Sequence, residues 1–374
     1  MPIKVMTVFG TRPDAVKMCP VVLELQKFPD KVDLVVAVTG QHREMLHQVL
    51  DIFQVKPKYD LDIMKTKQSL AEITTRSLQG LENIILKEQP NIVLAQGDTT
   101  TTFTACLAAF YNKVAVGHVE AGLRTDNKYD PFPEEINRRL TTVLADLHFA
   151  PTPAAKKNLL AEGVPSNKIY VTGNTVIDAL LSVAERPWVF DDPVLASAGT
   201  DGRRMILVTA HRRENWGEPM ASICRAIKKV VEEFPDVFVV FAVHKNPIVR
   251  ETVFPELGQT ERVHLIEPPD YVPFVHLLKR SYLVLTDSGG IQEEAPSLGK
   301  PVLIMRNTTE RPEGVEAGTG KLVGTTTERI VSETAKLLSN HEAYNSMARA
   351  VNPYGDGHAS VRIREALFKY FGLD

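Results

Sequence analysis

The chain has 374 residues, about two and a half times the ~150 usual for one domain, so it reads as two domains, each with a core. Its 43 Lys and Arg against 46 Asp and Glu leave a net charge of −3, without the basic excess that a nucleic-acid or anionic-membrane partner calls for. Hydrophobic residues at 44% and charged residues at 24% exclude disorder, collagen-like repeats and coiled coil.

From Met1 to Gly10 no basic segment leads into a long apolar run and a cleavage site, so no signal peptide is expected, and no stretch approaches the ~18 apolar residues of a membrane span. Within that opening, Ile3 to Val8 is the first of a series of β-rich runs. Val16 to Lys27 follows as a helix, then strands at Leu34 to Val38 and Ile92 to Ala95, a helix at Thr101 to Tyr111, and strands at Val114 to Gly117 and Ile169 to Val171. Strands alternating with helices predict βαβ units and a parallel sheet covered on both faces. After a polar stretch around Arg186 to Arg203 the pattern restarts at Met205 to Val208, Val237 to Val243, Val263 to Ile266, Tyr282 to Leu285 and Pro301 to Met305. Asn352 to Gly357 makes a sharp turn, and Ile363, Ala366, Leu367, Tyr370 and Phe371 mark one face of a last helix that returns across the domain junction. Cys19, Cys106 and Cys224 are few, scattered and odd in number, which suits reduced, buried thiols and a cytoplasmic location.

In open parallel sheets, ligands bind beyond the carboxyl ends of the strands. The first strand runs into Gly10-Thr11-Arg12-Pro13-Asp14-Ala15-Val16-Lys17, where Gly10 permits a tight turn and Arg12 and Lys17 offer cations to an anion. A turn with solvated basic residues is the alternative, since no dinucleotide or Walker glycine pattern is present. Further along, Asp98 stands at a strand-to-helix transition, an N-cap position as well as a candidate acid. Glu120 ends the fourth strand, and Glu134 follows in a loop from Asp130 to Arg139. Each acid singly fits a cap or an ion pair; three on successive loops of one sheet edge fit acid/base chemistry. No metal is expected, because these loops lack a zinc ligand pattern.

In the second half an apolar strand runs straight into His211, Arg212 and Arg213, which places the histidine to contact a phosphate or protonate a leaving group. Ser288, Gly289 and Gly290 follow a strand and open a helix whose amides can meet an anion. Glu294, about one and a half turns on, is placed to accept hydrogen bonds from both ribose hydroxyls, and Phe274 to support a base. Cations in both halves imply a nucleotide in an interdomain cleft.

In order along the whole chain, FGTRPDAVKM, TGQHREML, GDTTTT, GHVEAGLRT, PEEINRR, TGNTVIDAL, TAHRREN, LTDSGGIQEEAPSLGKPVL, TERPEG and NPYGDG resemble the non-hydrolysing UDP-N-acetylglucosamine 2-epimerases. The resemblance implies an α/β fold of two Rossmann-like domains facing a central cleft, as in B-type glycosyltransferases. Residues 1–175 would form the N-terminal domain carrying the acid/base residues, with helix 358–374 docked on it, and residues 176–357 the UDP-binding domain. It implies reversible inversion at C2 of UDP-GlcNAc to UDP-ManNAc, by elimination of UDP to 2-acetamidoglucal and re-addition, without cofactor or metal. By motif, Asp98, Glu120 and Glu134 would be the acid/base group, and His211 and Arg12 would stabilise the departing diphosphate. Ser288, Gly289 and Gly290 would hold phosphate, Glu294 ribose and Phe274 uracil, while Lys17 and Arg311 complete the charge clamp. A second, activating UDP-GlcNAc site would draw on Gln41, Lys67, Arg212 and His244.

Against the family pattern, Asp14 replaces a Glu, Gln96 a frequent His, Pro269 a uracil-contacting Gln, Glu44 a Gln and Lys67 an Arg. The last two changes fall at the activating site. The family also suggests a homodimer and a supply of ManNAc to cell-surface polysaccharide. The rival readings are hydrolysis to UDP and free ManNAc, a glycosyltransferase of the same architecture, and a noncatalytic nucleotide-sugar sensor.

Overall fold

The computed structural model describes residues 2–40, 43–65, 68–198 and 202–373. They form two compact units, one of Met1–Ala179 with Tyr354–Asp374 and one of Leu180–Pro353.

The first unit is built on seven parallel strands among the described residues: β1 (Ile3–Phe9), β2 (Val32–Val38), β3 (Tyr59–Asp60), β4 (Ile92–Gln96), β5 (Ala115–Val119), β6 (Leu147–Ala150) and β7 (Ile169–Val171), in the order β3-β2-β1-β4-β5-β6-β7. All five residues of β4 are buried, as expected of a strand covered on both faces. One face packs Met6, Val8, Val35 and Ala37 against Leu81, Ile84 and Ile85 of helix Leu70–Glu88 and Ala105, Cys106 and Ala109 of helix Thr100–Tyr111. The terminal helix Ala359–Phe371 belongs to this unit. Arg364 Nε donates to Glu24 Oε1 at 2.8 Å, Phe368 meets Phe28 edge-on at 5.5 Å, and Asp178 caps the helix through the amides of Ala359 and Ser360 at 3.1 and 2.8 Å.

The second unit repeats the plan with six parallel strands among the described residues: β8 (Arg204–Thr209), β9 (Val237–Ala242), β10 (Val263–Ile266), β11 (Leu283–Thr286), β12 (Val302–Ile304) and β13 (Gly320–Leu322), in the order β10-β9-β8-β11-β12-β13. Its core gathers Ile206, Val208, Val239 and Phe241 with Ile223, Cys224, Ile227 and Val230 of helix Glu218–Glu233. In both sheets the chain winds outward in one direction and then restarts beside the first strand. The crossovers therefore diverge between β1 and β4 and between β8 and β11, where a doubly wound sheet leaves a crevice at its carboxyl edge.

Three strands, β3, β6 and β13, are absent from the sequence reading; all are four residues or shorter and held by their neighbours' ladders rather than by periodicity of their own. Glu134 does not lie in a loop but opens helix Glu134–Leu144. Asp98 is not the helix cap: Thr99 caps helix Thr100–Tyr111, accepting from Thr102 N at 3.3 Å, which leaves the Asp98 side chain for other partners. The polar stretch before β8 lies in the second unit, where Asp192 caps helix Pro193–Ser197 and meets His264 Nε2 at 3.2 Å. All three cysteines are buried and unbridged, and burial pushes each thiol up to about 12. No helix among the described residues is long and apolar enough to cross a membrane.

Candidate active site

At the carboxyl edge of the first sheet, Gly10 is the residue a side chain would spoil. A Cβ there would come within 2.3 Å of Thr39 Oγ1 and 2.4 Å of Thr101 Oγ1, which bond each other at 2.8 Å. The tight passage leads into helix Arg12–Gln26, closed by a capping box in which Asp14 Oδ2 accepts from Thr11 N at 3.2 Å and the Thr11 hydroxyl accepts from Asp14 N. Gly10 N and the Thr99 hydroxyl also donate to Asp14, each at 3.3 Å. Burial pushes the Asp14 carboxyl up to about 6, against hydrogen bonds from Thr11 and Gly10 that pull it down; the nearby Asp98 adds to the rise.

Glu120 follows β5 directly with φ +64, a left-handed backbone that a glutamate adopts only under constraint from its surroundings. Its carboxylate receives Lys17 Nζ at 2.6 and 2.7 Å on its two oxygens, Asn174 Nδ2 at 3.0 Å, and Gln96 Nε2. Every one of these is a donor, so the environment suits the ionised form of a group whose residue is only 7% exposed. Beneath it, His118 Nε2 lies 2.7 Å from the Gly97 carbonyl. His118 is paired in register with His148, and burial lowers both histidines to about 4.

Asp98 is held by Arg138 Nη2, while Asn137 Nδ2 donates to its carbonyl at 2.9 Å. Both contacts come from helix Glu134–Leu144, whose buried Glu135 accepts from Arg138, from Arg139 and from Thr125 N. Glu134 lies three and four residues before Asn137 and Arg138 and so shares the helix face that meets Asp98. It is half-buried, with no ion pair among the described residues. Arg12 is half-buried at the start of helix Arg12–Gln26. The first unit thus gathers Asp98, Glu120, Glu134, Lys17 and Arg12 along one strand edge.

The second unit builds its own constellation at the β8/β11 crevice. His211 Nδ1 lies 3.2 Å from Asp287 Oδ1, and the His211 ring stacks on His244 at 5.6 Å. His244 is exposed and its Nδ1 accepts from Asn246 N at 3.1 Å. Burial lowers the His211 pKa and outweighs the opposing charge of Asp287. Arg212 pairs with Glu310 at 2.5 Å, and Arg306 bridges Glu310 to Glu214. Ser288 precedes helix Gly289–Ser297, its own N–H donating to Thr286 Oγ1 at 3.0 Å. A Cβ on Gly289 would stand 2.8 Å from Glu310 Oε1, whereas one on Gly290 would meet only Ser288 Oγ, at 4.0 Å. Glu294 stands one turn beyond Gly290 on the same face and is half-buried. Arg311 is anchored through Nε on the buried Glu293, and Phe274 is half-buried on helix Tyr271–Arg280. Gln41 and Lys67 lie outside the described residues.

Sequence reading did not single out Gln96, Asn174, Arg138 or Asp287 as site residues. Asn174, Arg138 and Asp287 lie inside quoted motifs and Gln96 directly before one, but the partners of these four are 54, 40, 76 and 24 positions away, a pairing that no local pattern encodes.

A family model described as UDP-N-acetylglucosamine 2-epimerase matches residues 24–368. The chain is 57% identical over 370 residues to the UDP-N-acetylglucosamine 2-epimerase of Bacillus subtilis, covering 99% of this chain and 96% of that protein. Among solved structures it resembles the UDP-GlcNAc 2-epimerase of Neisseria meningitidis bound to UDP-GlcNAc, with 52% identity, TM-score 0.86, and 98% and 100% of the two chains covered. It also resembles the S. aureus MnaA–UDP co-structure, with 48% identity, TM-score 0.88, and 100% and 98% covered.

Proposed function

The chain belongs to the UDP-N-acetylglucosamine 2-epimerase family, and on that premise we propose that it interconverts UDP-GlcNAc and UDP-ManNAc by the non-hydrolysing route. C2 carries no adjacent carbonyl to acidify its proton, so direct abstraction is unfavourable; loss of UDP across C1–C2 supplies the driving force. In this reading the C1–O bond breaks with its electron pair going to the β-phosphate oxygen, a carboxylate takes the C2 proton, and 2-acetamidoglucal forms. A proton then returns to C2 on the other face as UDP adds back.

The observation that carries the reading is the ordered carboxylate edge of the first unit: Glu120 in its cage of Lys17, Gln96 and Asn174, with Asp98 tied to the helix that Glu134 opens. A glycosyltransferase or a sensor has no use for three such acids. In the second unit His211 and the helix start at Gly289 and Gly290, with Ser288 before it, suit the diphosphate, Glu294 would serve the ribose, and Phe274 would support the uracil. Arg12, Lys17 and Arg311 would add positive charge for the diphosphate. Arg212 and His244 would serve an activating second molecule of UDP-GlcNAc, together with Gln41 and Lys67. The chain would act in the cytoplasm as a homodimer, and its product would feed surface polysaccharide.

The test is NMR of UDP-GlcNAc with the protein in D2O. UDP-ManNAc should appear with deuterium at C2 in both sugars, because the abstracted proton exchanges with solvent on an enzyme carboxylate. Epimerisation with the C2 hydrogen retained would refute the elimination route, and free ManNAc as the first product would identify a hydrolysing enzyme.

A further inference from the structure

We propose that Asp287 is a positioning residue for His211, holding the imidazole with its proton on Nδ1 so that Nε2 serves the departing diphosphate; this rests on the epimerase reading above. Asp287 is the first residue after β11, and its backbone N–H donates to Thr209 O at 3.3 Å, so it stands at the crevice between β8 and β11. The side chain is fully buried. Three N–H groups converge on Oδ2 at 2.9 Å each: the backbones of His211 and Arg212 and the Nδ2 of Asn215. Asn215 is itself buried and also donates to Met305 O at 3.2 Å. The loop after β8 is thus folded around one carboxylate oxygen.

The other oxygen faces a single group. Oδ1 has no aligned hydrogen-bond donor among the described residues; the His211 imidazole lies beside it, with Nδ1 at 3.2 Å, close enough for a turn of the ring to bring an Nδ1 hydrogen onto the oxygen. A carboxylate oxygen and a bare ring nitrogen at that separation repel, whereas an Nδ1 hydrogen is attracted to the oxygen, so the contact favours the hydrogen on Nδ1. Neutral His211 then presents the lone pair of Nε2, and the imidazolium presents Nε2–H. Burial disfavours the imidazolium, as do the neighbouring His244, Arg212 and Arg306, while Asp287 favours it. Arg212 and Arg306 are in turn neutralised by Glu310 and Glu214. A bound diphosphate adds negative charge and shifts the balance toward the imidazolium. When C1–O breaks, Nε2–H passes its proton to the oxygen that receives the bonding pair, and Asp287 stays ionised. On re-addition that proton returns to Nε2 as the oxygen attacks C1.

Asp287→Asn makes a sharp test because the three donors at Oδ2 compel the amide oxygen to take that place. The amide NH2 then faces Nδ1, which must become an acceptor, and the hydrogen moves to Nε2. The full-length protein labelled with 15N-histidine, without substrate, is followed by long-range 1H–15N correlation across pH, with His211→Gln used to assign the signal. In the unsubstituted protein neutral His211 should be protonated on Nδ1. In Asp287→Asn it should be protonated on Nε2, with its titration midpoint lower by at least about one pH unit and kcat lower by at least about 10²-fold. UDP affinity within about tenfold of the unsubstituted protein shows that the variant is folded. Neutral His211 protonated on Nε2 in the unsubstituted protein overturns the proposal, and that measurement needs no variant to fold. So does Asp287→Asn with the Nδ1 hydrogen and near-normal turnover. Because the tautomer is read without substrate, a chain that shows Nδ1–H but does not epimerise refutes the reaction and leaves the positioning in place.

Discussion

Glu120 shows how much a single residue position can be asked to satisfy. Its left-handed backbone costs on the order of 1 kcal/mol, and it is retained where one cation and two amides meet the carboxylate. Asp98 is similarly committed to Arg138, whereas Glu134 is left without an ion pair among the described residues. If these acids move protons, Asp98→Asn, Glu120→Gln and Glu134→Gln each lower kcat by at least about 10²-fold, with UDP affinity largely kept because none of the three is proposed to hold UDP. Steady-state turnover beside UDP titration checks this, and near-normal kcat in all three would return them to the status of caps and ion-pair partners. The positions of Asp98 and Glu120 were legible because each stands just beyond a strand's carboxyl end, whereas Glu134 was assigned to a loop and in fact opens a helix. Their states were not, since Arg138, Asn174 and Gln96 reach them only through tertiary contact.

At the scale of elements, helix Arg12–Gln26 depends on a buried acid for its start. Unfolded, the Asp14 carboxyl releases its proton near 3.8, and folded at about 6, because burial disfavours the charge. Folding therefore takes up a proton between those values: the contribution is fully present below pH 3.8 and is lost as pH rises through about 6, a change of about 3 kcal/mol. Asp14→Asn keeps an oxygen for the amides of Gly10 and Thr11 and for Thr99 but does not titrate. Urea unfolding from about pH 4 to about pH 7 should show the variant gaining on the unsubstituted protein as pH rises; a difference that is flat with pH would mean Asp14 does not titrate in this window. Helices Arg12–Gln26, Thr100–Tyr111 and Ala359–Phe371 and the longer strands were readable from the sequence. The short strands β3, β6 and β13 were not, because the neighbouring ladder, rather than their own composition, makes them strands.

Across the whole molecule the same winding occurs twice, with seven strands and six among the described residues. The first unit carries the carboxylates; the second carries His211 and the glycine-opened helix. His244 stacks on His211, and Arg212 reaches Glu310 beside Gly289, so two residues proposed for an activator touch groups proposed for the diphosphate. If a second UDP-GlcNAc binds there, initial rates rise sigmoidally with UDP-GlcNAc, and UDP-ManNAc alone is not converted. Hyperbolic kinetics in both directions would remove the activator. What the sequence by itself determined was the two α/β halves, the strand ends at which chemistry-bearing residues gather, and the family, because periodicity and motif order are local properties of the chain. Only the tertiary structure decided which groups are joined: Lys17 to Glu120, Arg138 to Asp98, and Asp287 to His211, pairs separated by 103, 40 and 76 residues. Burial and hydrogen-bond geometry set protonation and orientation, and both arise only when distant strand ends are brought side by side.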